Sequence, residues 1–188
     1  MNAWKAASTN WTAERVRALP DDGKRYEVID GELYVTPAPT WEHQRAVLGQ
    51  AYRMRSYLVG HPIADVYIAP ADVEFRIDRM VEPDLFVVPL VDGRRPRTWG
   101  EAKRRLLAVE ILLPSTARAD RLAKRLLYQR ERVAEYWIVD VDARLVERWR
   151  PDDSRPEIIV RELAWQPDSA APALTIDLDG HFREVCLE

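Results

Sequence analysis

One cysteine, Cys186, is the only thiol among 188 residues. No internal disulfide and no cysteine-based zinc site can form from it, and the usage fits a reducing cytoplasm. Long apolar runs are missing too. None approaches the roughly 20 residues that span a bilayer, and the longest, such as 106–114, carries Glu110 in its middle. The N-terminal stretch MNAWKAASTNWTAE has no long apolar core, so no secretory signal is expected. There is no excess of positive charge: the net charge is −3, whereas a dedicated nucleic-acid binder is usually basic. Repeats and low-complexity tracts are absent, and no zinc finger or helix-turn-helix is evident to read a DNA sequence.

What is present reads as one ordinary α/β domain over residues 1–188. Hydrophobic residues are 47% and charged residues 31%, enough for a real core and too short for two comfortable domains. Basic residues gather locally, first as Arg94, Arg95, Arg97, Lys103, Arg104 and Arg105, then as Arg118, Arg121, Lys124, Arg125, Arg130 and Arg132. Such runs either present a basic surface or form a solvated, ion-paired face.

Residues 1–20 look like an adaptor, with a short helix capped by Thr12. Asp30-Gly31 between two short apolar runs predicts a β-hairpin, because glycine takes positive φ cheaply. Thr40 is placed to cap a helix over about 41–59, with Val47, Ala51, Met54 and Leu58 on its apolar face and His43 and Gln50 at the edge. Alternation predicts strands around Val66–Ile68 and Val73–Ile77. Near-continuous apolar runs predict buried strands at 83–88 and 106–113. A helix over about 119–132 follows, its apolar side made of Ala119, Leu122, Ala123, Leu126 and Leu127, with Asp120, Lys124 and Tyr128 along one border. A strand over 135–140 then completes a crossover between parallel neighbours. Residues 144–149 and 157–163 read as antiparallel additions, and the tail beyond Pro167 as edge structure.

Glu110 is the sharpest anomaly. On a strand it shares a face with Leu106, Ala108 and Leu112, where a lone carboxylate costs several kcal/mol to desolvate. It needs a proton, a cationic partner such as Arg104 or Arg121, or a metal. Asp84 begins the other apolar strand. If the strands are neighbours, the two carboxylates converge, and Mg²⁺ takes only one or two carboxylates plus water and phosphate. Taken alone, Asp84 reads as a strand-start cap after Pro83. Lys124 can reach back over the strand to an attacked phosphate or its water, or be an exposed helix lysine paired with Asp120.

The ordered set YEVIDGEL, a Pro-rich stretch then WEHQ, PADVEF, EPDLFVV, LLAVEILLPST, DRLAKRLLY and EYWIVD resembles the Uma-type family of putative restriction endonucleases, a branch of the PD-(D/E)XK nuclease superfamily. The resemblance covers about residues 25–141. It implies a restriction-endonuclease-like mixed β-sheet with flanking helices and an N-terminal hairpin. It implies Asp84 and Glu110 as metal ligands, the Ile111 carbonyl as a third, and Lys124 as the catalytic lysine. Glu32 and His43 match family positions as accessory residues. The implied activity is hydrolysis of DNA phosphodiesters with Mg²⁺, or Mn²⁺ in its place, and a homodimer is a further expectation. Two positions depart from the pattern: Leu112 stands where the superfamily has lysine, and Leu113 where the family has serine. Leu112 and the acidic balance suit a second reading, an inactive nuclease-fold module that binds nucleic acid or a protein. A hydrolase of RNA or another phosphodiester is a third.

Overall fold

The computed structural model describes residues 10–98, 100–102 and 104–187. Residues 1–9 of the adaptor and Lys103 of the first basic cluster lie outside these. Local signals set the first elements. Thr12 Oγ1 accepts from Arg15 N at 3.2 Å and opens α1 (Ala13–Arg17). Strands β1 (Arg25–Ile29) and β2 (Glu32–Thr36) pair antiparallel across Asp30 and Gly31, both at positive φ, the geometry that a two-residue hairpin turn requires. Thr40 Oγ1 accepts from His43 N at 3.2 Å and caps α2 (Trp41–Gly60).

The remaining strands are β3 (Ala64–Ile68), β4 (Val73–Arg76), β5 (Arg79–Val81), β6 (Leu85–Pro89), β7 (Leu107–Ile111), β8 (Glu135–Asp140), β9 (Leu145–Trp149), β10 (Glu157–Ile159), β11 (Glu162–Trp165) and β12 (Leu174–Asp177). They form a six-stranded mixed sheet of order β10-β9-β8-β7-β6-β3, a four-stranded sheet β2-β1-β5-β4, and the pair β11-β12. Only β7 and β8 run parallel within the large sheet, with Leu107 opposite Glu135. The connection between them carries a π-helical turn, Ala119–Lys124, that runs straight into α3 (Arg125–Arg130).

Alternation along the central strands sorts the core into two layers. Leu85, Val87, Leu107, Val109, Ile111, Trp137 and Val139 pack with Ala46, Met54 and Leu58 of α2. Phe86, Val88, Ala108, Tyr136 and Ile138 pack with Leu127 and Tyr128 of α3 and with Ile29, Val73 and Val81 of the small sheet. Leu106, expected beside Glu110, precedes β7 and joins the first layer instead.

Two expectations are corrected. On the connecting helix, Leu122 and Leu126 are each 49% exposed, while Asp120, Lys124, Leu127 and Tyr128 are buried. The supposed border is therefore the buried face. The π-helical turn changes the phase of the helix, and the charges it turns inward have partners there. The tail beyond Pro167 is not merely an edge. The strand β12 pairs with β11 and leads into α4 (Leu178–Cys186), capped by Asp177 through Gly180 N at 3.2 Å. Ile176, Leu178, Phe182 and Val185 join the same core as α2. Among the described residues no helix is long and apolar enough to cross a membrane.

Gly49 lets α4 approach α2. A Cβ there would stand 3.2 Å from His181 Cε1 and 2.9 Å from Arg53 NH1. His181 is fully buried, and neither ring nitrogen has a hydrogen-bond partner. Desolvation, with Arg53 nearby, lowers its pKa from 6.5 to about 4. The unfolded chain takes up this proton near pH 6.5 and the folded chain only near 4, so stability is full above the first value and is lost as pH falls toward the second. A gap of that size is worth roughly 3 kcal/mol. His181→Leu, neutral at every pH, is expected to remove about that much of the loss in unfolding free energy between pH 7 and 4. Urea denaturation at the two pH values measures it.

Candidate metal centre

Strand β6 pairs antiparallel with β7, Leu85 opposite Val109. Continuing that register by one residue sets Asp84 opposite Glu110. The link is also direct, because Ile111 N donates to Asp84 Oδ2 at 2.9 Å. The strand-cap reading of Asp84 thus describes only part of its role. His43 Nε2, from α2, lies 2.9 Å from the same oxygen. Arg25 NH1, from β1, donates to Oδ1 at 2.8 Å. Burial raises the Asp84 pKa, but His43 and Arg25 outweigh it and hold the carboxyl at about 2.

Glu110 lies on the side of the large sheet that faces α3. Lys124 Nζ approaches its Oε1 at 3.0 Å, and the Tyr128 hydroxyl donates to the same oxygen at 3.1 Å. Its partners are these, and not Arg104 or Arg121; Arg121 binds Asp140 and Glu147 at 2.9 and 2.6 Å. Desolvation pushes the Glu110 pKa well above the usual carboxylate range. Lys124 opposes the rise, and the neighbouring Asp84, Asp120 and Glu27 add to it.

Lys124 is 4% exposed, so the exposed-lysine reading is excluded. Its Nζ lies 2.9 Å from Glu27 Oε2, 3.0 Å from Glu110 Oε1 and 3.7 Å from Asp120 Oδ1. Desolvation favours the neutral amine, but Glu110, Glu27 and Asp120 raise its pKa well above the ordinary lysine value, so it stays cationic. Asp120 is anchored by the Thr116 hydroxyl at 2.7 Å. Glu27 is anchored by Glu82 N at 2.8 Å.

Glu27 and Arg25 are site residues that sequence reasoning missed. The signal was present: on β1, Arg25, Glu27 and Ile29 share one face, and Ile29 packs in the layer that holds α3. Glu27, rather than Glu32, is the third carboxylate at Lys124. Glu32 accepts from the Tyr34 hydroxyl at 3.2 Å and lines a separate depression with Asp30 and Arg130. A cleft of about 410 Å³ reaches Asp84 and is lined also by Lys24, Arg25, His43 and Glu82. Desolvation, with Glu27 and Asp72 nearby, raises the Glu82 pKa to about 7. Much of the basic run is bound by the protein's own groups. Arg95 meets Asp65, Arg130 meets Asp30, Arg132 meets Asp152, and Arg105 and Arg125 lie over Phe75 and Trp149.

The donor set suits a hard divalent cation. Among the described residues no group of three His, Cys, Asp or Glu side chains could hold a metal ion, but Mg²⁺ commonly needs only one or two carboxylates with water and phosphate. Among the described residues, the buried carboxylates Glu27, Asp84, Glu110 and Asp120 face Arg25 and Lys124 as permanent cations. Desolvation, with the neighbouring carboxylates adding to it, keeps Glu110 hard to ionise, and a cation beside it would relieve this. Ile111, expected to offer its carbonyl, is held next to Asp84 through its amide.

Comparison with known proteins agrees with this architecture. The family model described as "Uma2: Putative restriction endonuclease" matches residues 13–179, and the chain belongs to that family. A crystal structure of a putative nuclease belonging to DUF820 from Anabaena variabilis shares the restriction-endonuclease-like fold. It has a TM-score of 0.72 at 18% identity, over 93% of this chain and 99% of that one. No curated protein matches.

The charge cluster makes an asymmetric prediction. Lys124→Met leaves buried carboxylates without their cation and is expected to cost about 3 kcal/mol of stability. Glu110→Gln removes a surplus negative charge and is expected to be neutral or stabilising. Chemical denaturation in metal-free buffer at pH 7 compares them.

Proposed function

We propose that the chain is an Mg²⁺-dependent endonuclease that hydrolyses DNA phosphodiester bonds, with Mn²⁺ able to replace Mg²⁺. The observation that carries this reading is the placement of Asp84 opposite Glu110 at one end of β6 and β7, with Lys124 Nζ 3.0 Å from Glu110. Asp84, Glu110 and the Ile111 carbonyl would hold the cation. Once bound, such an ion polarises a phosphate and lowers the pKa of its water.

The protein's own groups take distinct parts. Arg25 and His43 keep Asp84 ionised and fix its orientation, so a ligand oxygen is ready at neutral pH. Lys24 and Arg25 line the cleft and draw in the phosphate backbone. Lys124 offers a fixed positive charge for the pentavalent transition state, and Glu27 and Asp120 hold it in place. Leu112 leaves the superfamily's usual lysine position apolar, and Lys124 supplies the ammonium from the connecting helix instead.

The second reading, an inert nuclease-fold module, draws on one observation: Lys124 already has three carboxylates around it. Incision of supercoiled plasmid separates the readings. Wild-type protein with Mg²⁺ or Mn²⁺ is expected to nick or linearise it. Asp84→Ala and Lys124→Ala are each expected to lower the rate by at least about 100-fold, with folding checked by circular dichroism. An inactive wild type under varied metals defeats the endonuclease reading, and preferential cleavage of RNA moves it to another phosphodiester.

A further inference from the structure

Helix α2 has a second face that the described residues leave uncovered. The buried side carries Ala46, Met54 and Leu58. On the other side Trp41 is 83% exposed, Leu48 70%, Tyr52 71% and Val59 67%. At 3.6 residues per turn these four positions fall within about 20° of one line, along roughly 27 Å of helix. With Arg45 and Arg55 they complete the alternating four-and-three spacing of a helix–helix seam.

We propose that this face is the interface of a homodimer, in which α2 packs antiparallel on α2 of a second copy. The sequence of the stripe is self-complementary about Gln50. In that register Trp41 meets the partner's Val59 and Leu48 meets the partner's Tyr52, so each aromatic ring packs against an aliphatic side chain, as a two-fold interface demands. The two charged positions of the seam face each other, but each arginine is already tied within its own chain. Arg45 binds Glu42 at 3.1 Å and the Val185 carbonyl at 2.6 Å, and Arg55 binds Asp65 at 3.0 Å.

Size supports the same occupant. With 150–250 Å² for a large aromatic, the four side chains offer roughly 500 Å² of apolar surface per chain. That is most of the ~800 Å² per partner in a stable interface, and an apolar patch of that size is often functional. At the N-terminal end of α2 an apolar groove of about 430 Å³, walled by Trp41, Leu48 and Ile68, would receive Val59 of the partner subunit. Nucleobase stacking would use Trp41 but leaves Tyr52 and Val59, far along the helix, without a role. Pro39, Gln44, Val47 and Ile68 line both this groove and the candidate catalytic cleft. Dimerisation would therefore add a wall to each cleft.

Sedimentation and cross-linking need neither metal nor nucleic acid, so their outcome is independent of the endonuclease reading. Sedimentation velocity of the full chain at about 5–100 μM, the range where weak-to-moderate dimers form, is expected to give twice the 21.8 kDa chain mass. Leu48→Glu and Tyr52→Glu, each at an exposed position, are expected to give monomers with unchanged circular dichroism. For the register, Trp41→Cys and Val59→Cys chains in a Cys186→Ser background are mixed with a short bismaleimide. Cross-links between the two variants are expected, and few within either alone. A monomeric wild type, a dimer untouched by both glutamates, or preferential Trp41–Trp41 cross-linking would each overturn the proposal. So would a monomeric wild type whose Trp41→Ala variant loses single-stranded DNA binding, which would assign the face to nucleic acid.

Discussion

The ammonium of Lys124, enclosed by Glu27, Glu110 and Asp120, ties together three parts of the fold at one buried point. Glu27 comes from the hairpin sheet, Glu110 from the centre of the large sheet, and Lys124 and Asp120 from the π-helical turn after it. Each carboxylate would be costly alone in this interior. Together with one cation they remain costly, because the negative charges outnumber the positive ones.

Asp84 shows the other half of the same design. It is as buried as Glu110, yet Arg25 and His43 keep it ionised while desolvation makes ionisation of Glu110 difficult. The pKa values of two neighbouring carboxylates are thus driven in opposite directions, a pattern common at functional sites. The large sheet makes the arrangement rigid. Both acids sit at the ends of strands buried on both faces, and the helix α2 with its His43 approaches from one layer while the Lys124 turn approaches from the other.

Much of this was legible in the sequence. The Asp30-Gly31 hairpin, the Thr40 cap, the buried strands that carry Asp84 and Glu110 and the parallel crossover all follow from short-range chemistry and apolar runs. Glu110 stood out because a carboxylate in an apolar strand breaks its pattern. The misses share a cause. Arg25 and Glu27 are charged, and periodicity assigns charged residues to the surface. Here electrostatic satisfaction overrides it, turning Lys124 inward and leaving Leu122 and Leu126 exposed. Helix α4 was missed although Leu178, Phe182 and Val185 keep helical spacing behind the Asp177 cap. The tail looked polar because its burial depends on α2, a distant segment that a local reading does not join to it.

Under the proposed function, the buried carboxylates of Asp84 and Glu110 hold a divalent cation. Isothermal titration of metal-free protein with Mn²⁺ at pH 7.5 tests it without reference to any substrate. One site per chain is predicted in the wild type, displaced by excess Mg²⁺, and lost in both Asp84→Asn and Glu110→Gln. Absence of binding, or binding that survives both substitutions, would contradict the account.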